Sequence, residues 1–279
     1  MTAADRADRA SGLPVGRVGF GAMRLPTAPG PERERALGVA RRAAELGVTL
    51  VDTAFMYGWG ANEELLADAL HPYPEGLLIA TKVGIARSDG PEGWAHDGRP
   101  GSLRRQAEQA LRRLRLDRIE LLQLHRLDPA VPVAEQVGAL GELRAAGLVH
   151  RIGLSEVTAE QLTEARRTAP VASVQNRYSL FSRDHERVLD ACEAADIAFL
   201  PWRPVAAGDS AEVAAVAAET GATPQQVLLA WLLARSPVML PIPGTASAAH
   251  LEENVAAGAL RLTSGQRERL EHGAPPGGP

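Results

Sequence analysis

Four residues at or just beyond the ends of successive apolar runs carry most of the chemistry this chain offers: Asp52, Tyr57, Lys82 and His125. Lys82 is the one lysine beside 29 arginines, and it closes the run Leu77-Leu-Ile-Ala-Thr81. Arginine carries a fixed charge on a rigid fork, whereas lysine is a compact ammonium whose pKa moves on burial. A chain so biased toward arginine has reason to keep a lysine where a tunable ammonium is needed. Asp52 opens Asp52-Thr-Ala-Phe-Met-Tyr57, so a phenol follows a carboxylate by five residues. A phenol, with a reference pKa of about 10, is a poor proton donor at neutral pH. An adjacent ammonium stabilises the phenolate and lowers that value, a carboxylate fixes the ammonium, and a neutral imidazole turns a carbonyl oxygen toward the phenol. Together the four types suit reduction of a carbonyl, where oxygen takes a proton as carbon takes a hydride. Taken singly, each has a plainer use: Asp52 as a helix cap, Tyr57 as a loop aromatic, Lys82 on a solvated face, His125 as a hydrogen-bonded core residue. Their joint placement favours chemistry.

The elements that would hold them repeat along the chain. Strand-like runs fall at Val18–Gly21, Val48–Asp52, Leu77–Thr81, Ile119–Leu124, Arg151–Leu154, Ala172–Gln175, Ile197–Leu200 and Val238–Ile242. Between them, helical periodicity marks Pro31–Leu46, Asn62–Leu70, Ser102–Leu114, Val133–Ala146, Thr158–Thr168, Ser182–Ala195 and Thr223–Ala234. Thr158 and Ser182 suit N-caps, and Gly47 and Gly147 suit the positions just past a helix end. Eight strands alternating with helices imply parallel pairing through right-handed crossovers, and eight such units close into an α/β fold, the (β/α)8 TIM barrel. A doubly wound open sheet fits less well, because Gly19-Phe-Gly21-Ala-Met-Arg24 lacks the third glycine of a dinucleotide fingerprint. In a barrel, chemistry gathers where strands end. Those ends deliver Asp52, Lys82, His125, Ser155, Gln175, Asn176, Trp202 and Pro243-Gly244-Thr245.

Composition narrows the partners. The chain has 279 residues, 45% hydrophobic and 23% charged, as expected of one globular domain over residues 1–279 with flexible ends at about 1–14 and 273–279. No apolar run is long enough for a bilayer and the start lacks a signal-peptide pattern, so a cytoplasmic location and no membrane partner are expected. Cys192 is the single cysteine, which excludes an internal disulfide and a cysteine-cluster metal site, and no metal is expected. A net charge of −4 argues against a nucleic-acid partner. The arginines between Arg104 and Arg118 read instead as the solvated face of a helix whose other face carries Leu103, Ala107, Leu111 and Leu114. The oligomeric state stays open, a monomer included.

Six motifs carry a resemblance. Asp52-x4-Tyr57, Ala80-Thr-Lys82, Leu122-Gln-Leu-His125, Ile152-Gly-Leu-Ser155, Ser173-Val-Gln-Asn176 and Pro241-Ile-Pro-Gly-Thr245 through Leu251-Glu-Glu-Asn254 resemble, in order and spacing, the aldo-keto reductases. The likeness runs from about Gly19 to Leu262. It implies that Tyr57 is the general acid/base, that Asp52 and Lys82 lower its pKa, and that His125 orients the carbonyl of a small-molecule aldehyde or ketone. It also implies an extended nicotinamide dinucleotide across the barrel mouth. Ser155 and Gln175 would hold its carboxamide, Trp202 would stack on the nicotinamide, and Gly21, Ala22 and Met23 would line the reacting end. The segment from Pro243 to Asn254, with Gly244, Thr245, Ser247, His250 and Glu253, would wrap the adenosine.

Departures from that pattern carry weight. Gly244 and His250 stand where many relatives place basic residues on the 2′-phosphate, so NADPH is the expected cofactor with NAD an alternative. Thr245, Ser247 and the start of the following helix still offer a phosphate site. Glu156 and Arg203 also depart from the family, either as a pair with each other or with Arg203 on the pyrophosphate. The longest connection, Val83 to Gly101, contains Trp94, a candidate substrate contact, while the short connection after Trp202 and the short C-terminus suggest an open pocket. Two other functions compete with carbonyl reduction: a weakly catalytic, nicotinamide-binding regulatory protein of the same fold, and a Schiff-base lyase using Lys82 as nucleophile.

Overall fold

A computed structural model describes residues 13–205 and 210–274. Seven parallel strands form one curled sheet in the order β1 (Phe20–Gly21), β2 (Leu50–Asp52), β3 (Leu78–Val83), β6 (Ile119–Leu124), β7 (Val149–Ser155), β8 (Val171–Gln175) and β9 (Ala198–Phe199). The eighth expected strand, Val238–Ile242, closes the sheet without forming a regular ladder. Phe199 N–H donates to Val238 O and Leu240 N–H to Phe199 O on one side, and Gly19 N–H donates to Pro241 O and Gly21 N–H to Pro243 O on the other. Pro241 and Pro243 have no N–H to give, which reduces this segment to isolated bridges at Met239 and Gly244. The ring is nevertheless complete, and the fold is a (β/α)8 barrel.

Strand parity sorts the side chains. Register pairs Asp52 with Ala80, Lys82 with Gln123 and Ser155 with Gln175. Because side chains alternate along a strand, Leu50 and Asp52, Leu78, Ala80 and Lys82, and Leu121 and Gln123 share the inner face. The lower interior is an apolar plug of Leu13, Val15, Leu50, Leu78, Ala80, Leu121, Leu200, Leu240 and Ile242. Leu13 therefore packs into the barrel, although the end of the chain up to about residue 14 was expected to be flexible. Gly273 likewise completes the helix Ser264–Gly273, and Ala274 is buried. Residues 1–12 and 275–279 lie outside the described residues. The other strand face packs on the helices, with Cys192 among the buried residues there and its thiol pKa pushed up to about 12 by burial.

Helix boundaries follow the sequence signals with one exception. Thr158 caps Ala159–Thr168 through a capping box with Gln161, and Gly47 and Gly147 take positive φ just past their helices. Ser182 does not cap. It pairs back onto Ser179, and the next helix begins at Glu186 with His185 before it. Three helices that periodicity does not mark, Ala211–Thr220, Ala248–Ala256 and Ser264–Gly273, complete the outer layer of the described chain. The long connection after β3 is no open loop: β4 (Ile85–Arg87) and β5 (Trp94–His96) fold into an antiparallel hairpin.

Candidate active site

Asp52 ends β2, and its two oxygens are divided between separate partners. Oδ2 accepts from Lys82 Nζ at 2.7 Å, while Oδ1 accepts from Gln175 Nε2 at 2.9 Å and Gln123 Nε2 at 3.2 Å. Lys82, 1% exposed, also donates to Thr53 O at 2.9 Å and reaches the Tyr57 hydroxyl at 3.4 Å. The site is a buried ion pair with amides saturating the carboxylate and one ammonium hydrogen aimed at a phenol. Gln123 escapes a sequence reading because it sits inside an apolar run. Gly153 makes room for it: a Cβ there would come 2.8 Å from Gln123 Cγ.

The loop that carries Tyr57 is fastened at many points. Thr53 N–H donates to Ala80 O and Phe55 N–H to Lys82 O, continuing the parallel ladder beyond β2. The Thr53 hydroxyl donates to Asn62 Oδ1, and Asn62 Nδ2 donates to Ala22 O. Gly58, Trp59 and Gly60 then follow one another with positive φ, a turn that two glycines permit at little cost. At Trp59 the left-handed backbone is unusual, and its ring is held between the Phe55 edge and the Arg87 guanidinium of the hairpin. A cavity of about 320 Å³ opens there, lined by Trp59, Arg87, Ser88, Asp89 and Gly93. Trp94 faces Arg87 across the hairpin and meets the His96 ring, whereas Trp59 lines the cavity itself.

Burial and neighbouring charges together set the charge in the mouth. Burial raises the Tyr57 pKa more than the Lys82 ammonium lowers it, so the phenol keeps its proton at neutral pH. The net direction is thus opposite to the lowering expected from lysine alone, because burial outweighs the ammonium. For Lys82, burial opposes the charge, but Asp52 and Tyr57 outweigh it and hold the pKa above the ordinary lysine value. His125 sits edge-on to Tyr57 with ring centroids 6.1 Å apart. Burial first, then Lys82 and Arg126, keep it well below the usual 6.5, and it is neutral.

The remaining predicted residues form a second arc of the rim. Ser155 and Gln175 are adjacent and buried at the ends of β7 and β8. Trp202 Nε1 donates to Glu156 Oε1 at 2.5 Å, and the same oxygen accepts from Arg177 N–H at 2.8 Å. Glu156 therefore braces the indole instead of pairing with exposed Arg203, and both residues take positive φ. Asn176 is spent on Val157, holding that loop through both its amide atoms. Ala22 is buried, whereas Met23 is 58% exposed at the rim. Gly21 and Gly244 meet where the barrel closes. A Cβ on Gly21 would lie 2.7 Å from Ile242 O, and one on Gly244 would lie 2.9 Å from Gly21 O. A Cβ at residue 244 would press on backbone that has to shift, which accounts for the glycine at this position. Arg24 runs alongside, its Cγ 3.8 Å from that Cβ position.

Beyond the closure, Thr245 Oγ1 accepts from Ser247 N–H at 3.0 Å, and Ser247 caps the helix Ala248–Ala256. Buried Pro243, exposed His250, half-buried Glu253 and buried Asn254 complete this segment. First-turn N–H groups of a helix have no intrahelical partner and attract anions. Buried amide and hydroxyl groups on one side of the mouth and this helix start on the other fit an elongated dinucleotide phosphate.

Comparison with known proteins places the chain. The sequence pattern of the "Aldo/keto reductase family" matches residues 17–273. An uncharacterized oxidoreductase of Schizosaccharomyces pombe is 44% identical over 259 residues, 90% of this chain and 84% of that protein. Pyridoxine 4-dehydrogenase of Escherichia coli is 40% identical over 262 residues, covering 89% and 91%. Among solved structures, an aldo/keto reductase from Klebsiella pneumoniae in complex with NADP and acetate superposes with a TM-score of 0.83 at 28% identity, covering 94% and 93%. No helix among the described residues is long and apolar enough to cross a membrane. With its barrel closed and its polar rim in place, the chain belongs to the aldo/keto reductase family of oxidoreductases.

Proposed function

We propose that the protein interconverts an aldehyde or ketone and its alcohol with NADPH, using Tyr57 as the general acid/base. The observation that carries this reading is Lys82 Nζ, held between Asp52 Oδ2 at 2.7 Å and the Tyr57 hydroxyl at 3.4 Å, with neutral His125 beside them. When bound, the cofactor supplies or accepts the hydride at the carbonyl carbon. Tyr57, protonated at neutral pH, gives its hydroxyl proton to the carbonyl oxygen. Lys82 then stabilises the phenolate it leaves, and Asp52 keeps the ammonium charged and aimed. His125, which carries a single ring N–H when neutral, orients the oxygen toward Tyr57. Ser155 and Gln175 would hold the carboxamide, Trp202 would support the nicotinamide ring, and Gly21, Ala22 and Met23 would line the reacting end.

NADPH is proposed over NADH because Arg24 supplies a cation beside Gly244 and the Ser247-capped helix supplies N–H groups. The 40% identity to pyridoxine 4-dehydrogenase makes pyridoxine, with its corresponding aldehyde, the first substrate pair to assay. A Schiff-base role for Lys82 runs against its charge state, since a nucleophilic amine must lose the proton that Asp52 and Tyr57 retain against the opposing effect of burial. The test is a tryptophan-fluorescence titration with NADPH and NADH, followed by steady-state turnover of pyridoxine and an aldehyde panel. Tighter NADPH binding with saturable turnover is expected; tight binding without turnover would mark a regulatory protein.

A further inference from the structure

Arg126 follows His125 directly and is partly buried. Its Nη1 donates to His125 O at 2.6 Å and to Ser155 Oγ at 3.3 Å, so one edge of the fork is fixed to the rim between two strand ends. Neither acceptor carries charge. Arg33, Arg113 and Arg235, also partly buried, hold Asp68, Glu63 and Glu186, yet no ion pair among the described residues includes Arg126. Its charge is felt where the reaction would occur, drawing the pKa down at both Tyr57 and His125.

A cation partly withdrawn from water and held only by neutral acceptors still has charge to offer, and an anion that reaches it gains charge-assisted hydrogen bonds. Arginine's planar fork matches a carboxylate through two parallel hydrogen bonds, and Nη1 is already oriented by its two neutral acceptors. We propose that Arg126 recognises a carboxylate on the substrate, so that the site prefers aldehydes or ketones with an anionic group close to the carbonyl that Tyr57 and His125 engage. The inference rests on the carbonyl-reductase reading and adds a substrate class to it. It also gives the mouth a selectivity that Tyr57 and Trp59 alone do not provide.

The experiment compares kcat/KM for 2- and 4-carboxybenzaldehyde with that for their methyl esters, in the wild type, Arg126→Gln and Arg126→Lys. The wild type is expected to prefer at least one acid over its ester, and Arg126→Gln to shrink that ratio by roughly tenfold or more, mainly through KM. Arg126→Lys should retain part of the preference, since it keeps the charge and loses the fork. An acid-to-ester ratio that is the same in wild type and Arg126→Gln overturns the proposal. So does a fall in NADPH affinity with the ratio unchanged, which would assign Arg126 to the cofactor. If no aldehyde is reduced, calorimetric titration of phthalate into the NADPH-loaded proteins still decides: binding that depends on Arg126 upholds the anion site while the reductase reading falls, and binding absent or equal in both overturns the anion site itself.

Discussion

Removing the Lys82 ammonium would strand Asp52 in the barrel with two amide donors and no cation. Deleting one partner of a buried pair costs about 3–5 kcal/mol, because the remaining charge is left uncompensated. Lys82→Met should therefore lower stability by that order in urea unfolding as well as abolish most turnover; wild-type stability would show that Asp52 does not depend on the pair. His125 gives a pH prediction with a definite sign. Its folded pKa lies well below the 6.5 of the unfolded chain, so below that pH the unfolded state binds the extra proton. The residue's contribution to stability is whole above about pH 6.5 and is lost as pH falls. Replacing it by glutamine should flatten the acid side of the stability profile, measured by urea unfolding from about pH 8 to 5; parallel profiles for the two proteins would refute the assignment. Asp52, Tyr57, Lys82 and His125 were legible because each polar type stands at or near the end of an apolar run. Gln123 and Arg126 were not, since an amide inside a strand and one arginine among 29 look ordinary until register and pairing are known.

At the scale of elements, the barrel is closed by the segment least like a strand. Two prolines remove ladder donors from Val238–Pro243, and two glycines let the first and last strands touch. Gly244→Ala places a Cβ 2.9 Å from Gly21 O, where backbone has to shift. Overpacking of this kind costs about 1–3 kcal/mol. Thermal unfolding of Gly244→Ala should show that loss together with weaker NADPH binding, because the same seam leads into the helix Ala248–Ala256; an unchanged midpoint would mean the seam is slack. Periodicity revealed this run as a strand, and spacing revealed Gly47, Gly147 and Thr158 as helix boundaries. The hairpin of β4 and β5 was hidden for a physical reason. Its strands are three residues each, too short to show alternation within a stretch of glycine, aspartate and proline. Ser182 misled because any serine before a helical pattern resembles a cap, and only the Ser179 contact shows where it is used.

Across the whole molecule, polar groups from several different strands reach one end of the barrel while apolar side chains fill its lower interior. That separation lets a charged pair stay buried in a stable core and still face the mouth. Recurrence of eight apolar runs was enough to indicate the barrel, but not which rim residues spend their polar atoms on the frame. Asn176 and Glu156 are such cases, one bracing Val157 and the other the Trp202 indole. In the proposed function the Tyr57 hydroxyl, between Lys82 and His125, moves the proton while the rest of the mouth holds cofactor and substrate. The decisive experiment is single-turnover NADPH oxidation by Tyr57→Phe, with NADPH affinity measured on the same protein. The predicted result is a rate lower by about 10²–10⁴-fold with affinity within a few-fold of wild type. Turnover by Tyr57→Phe at the wild-type rate would contradict it.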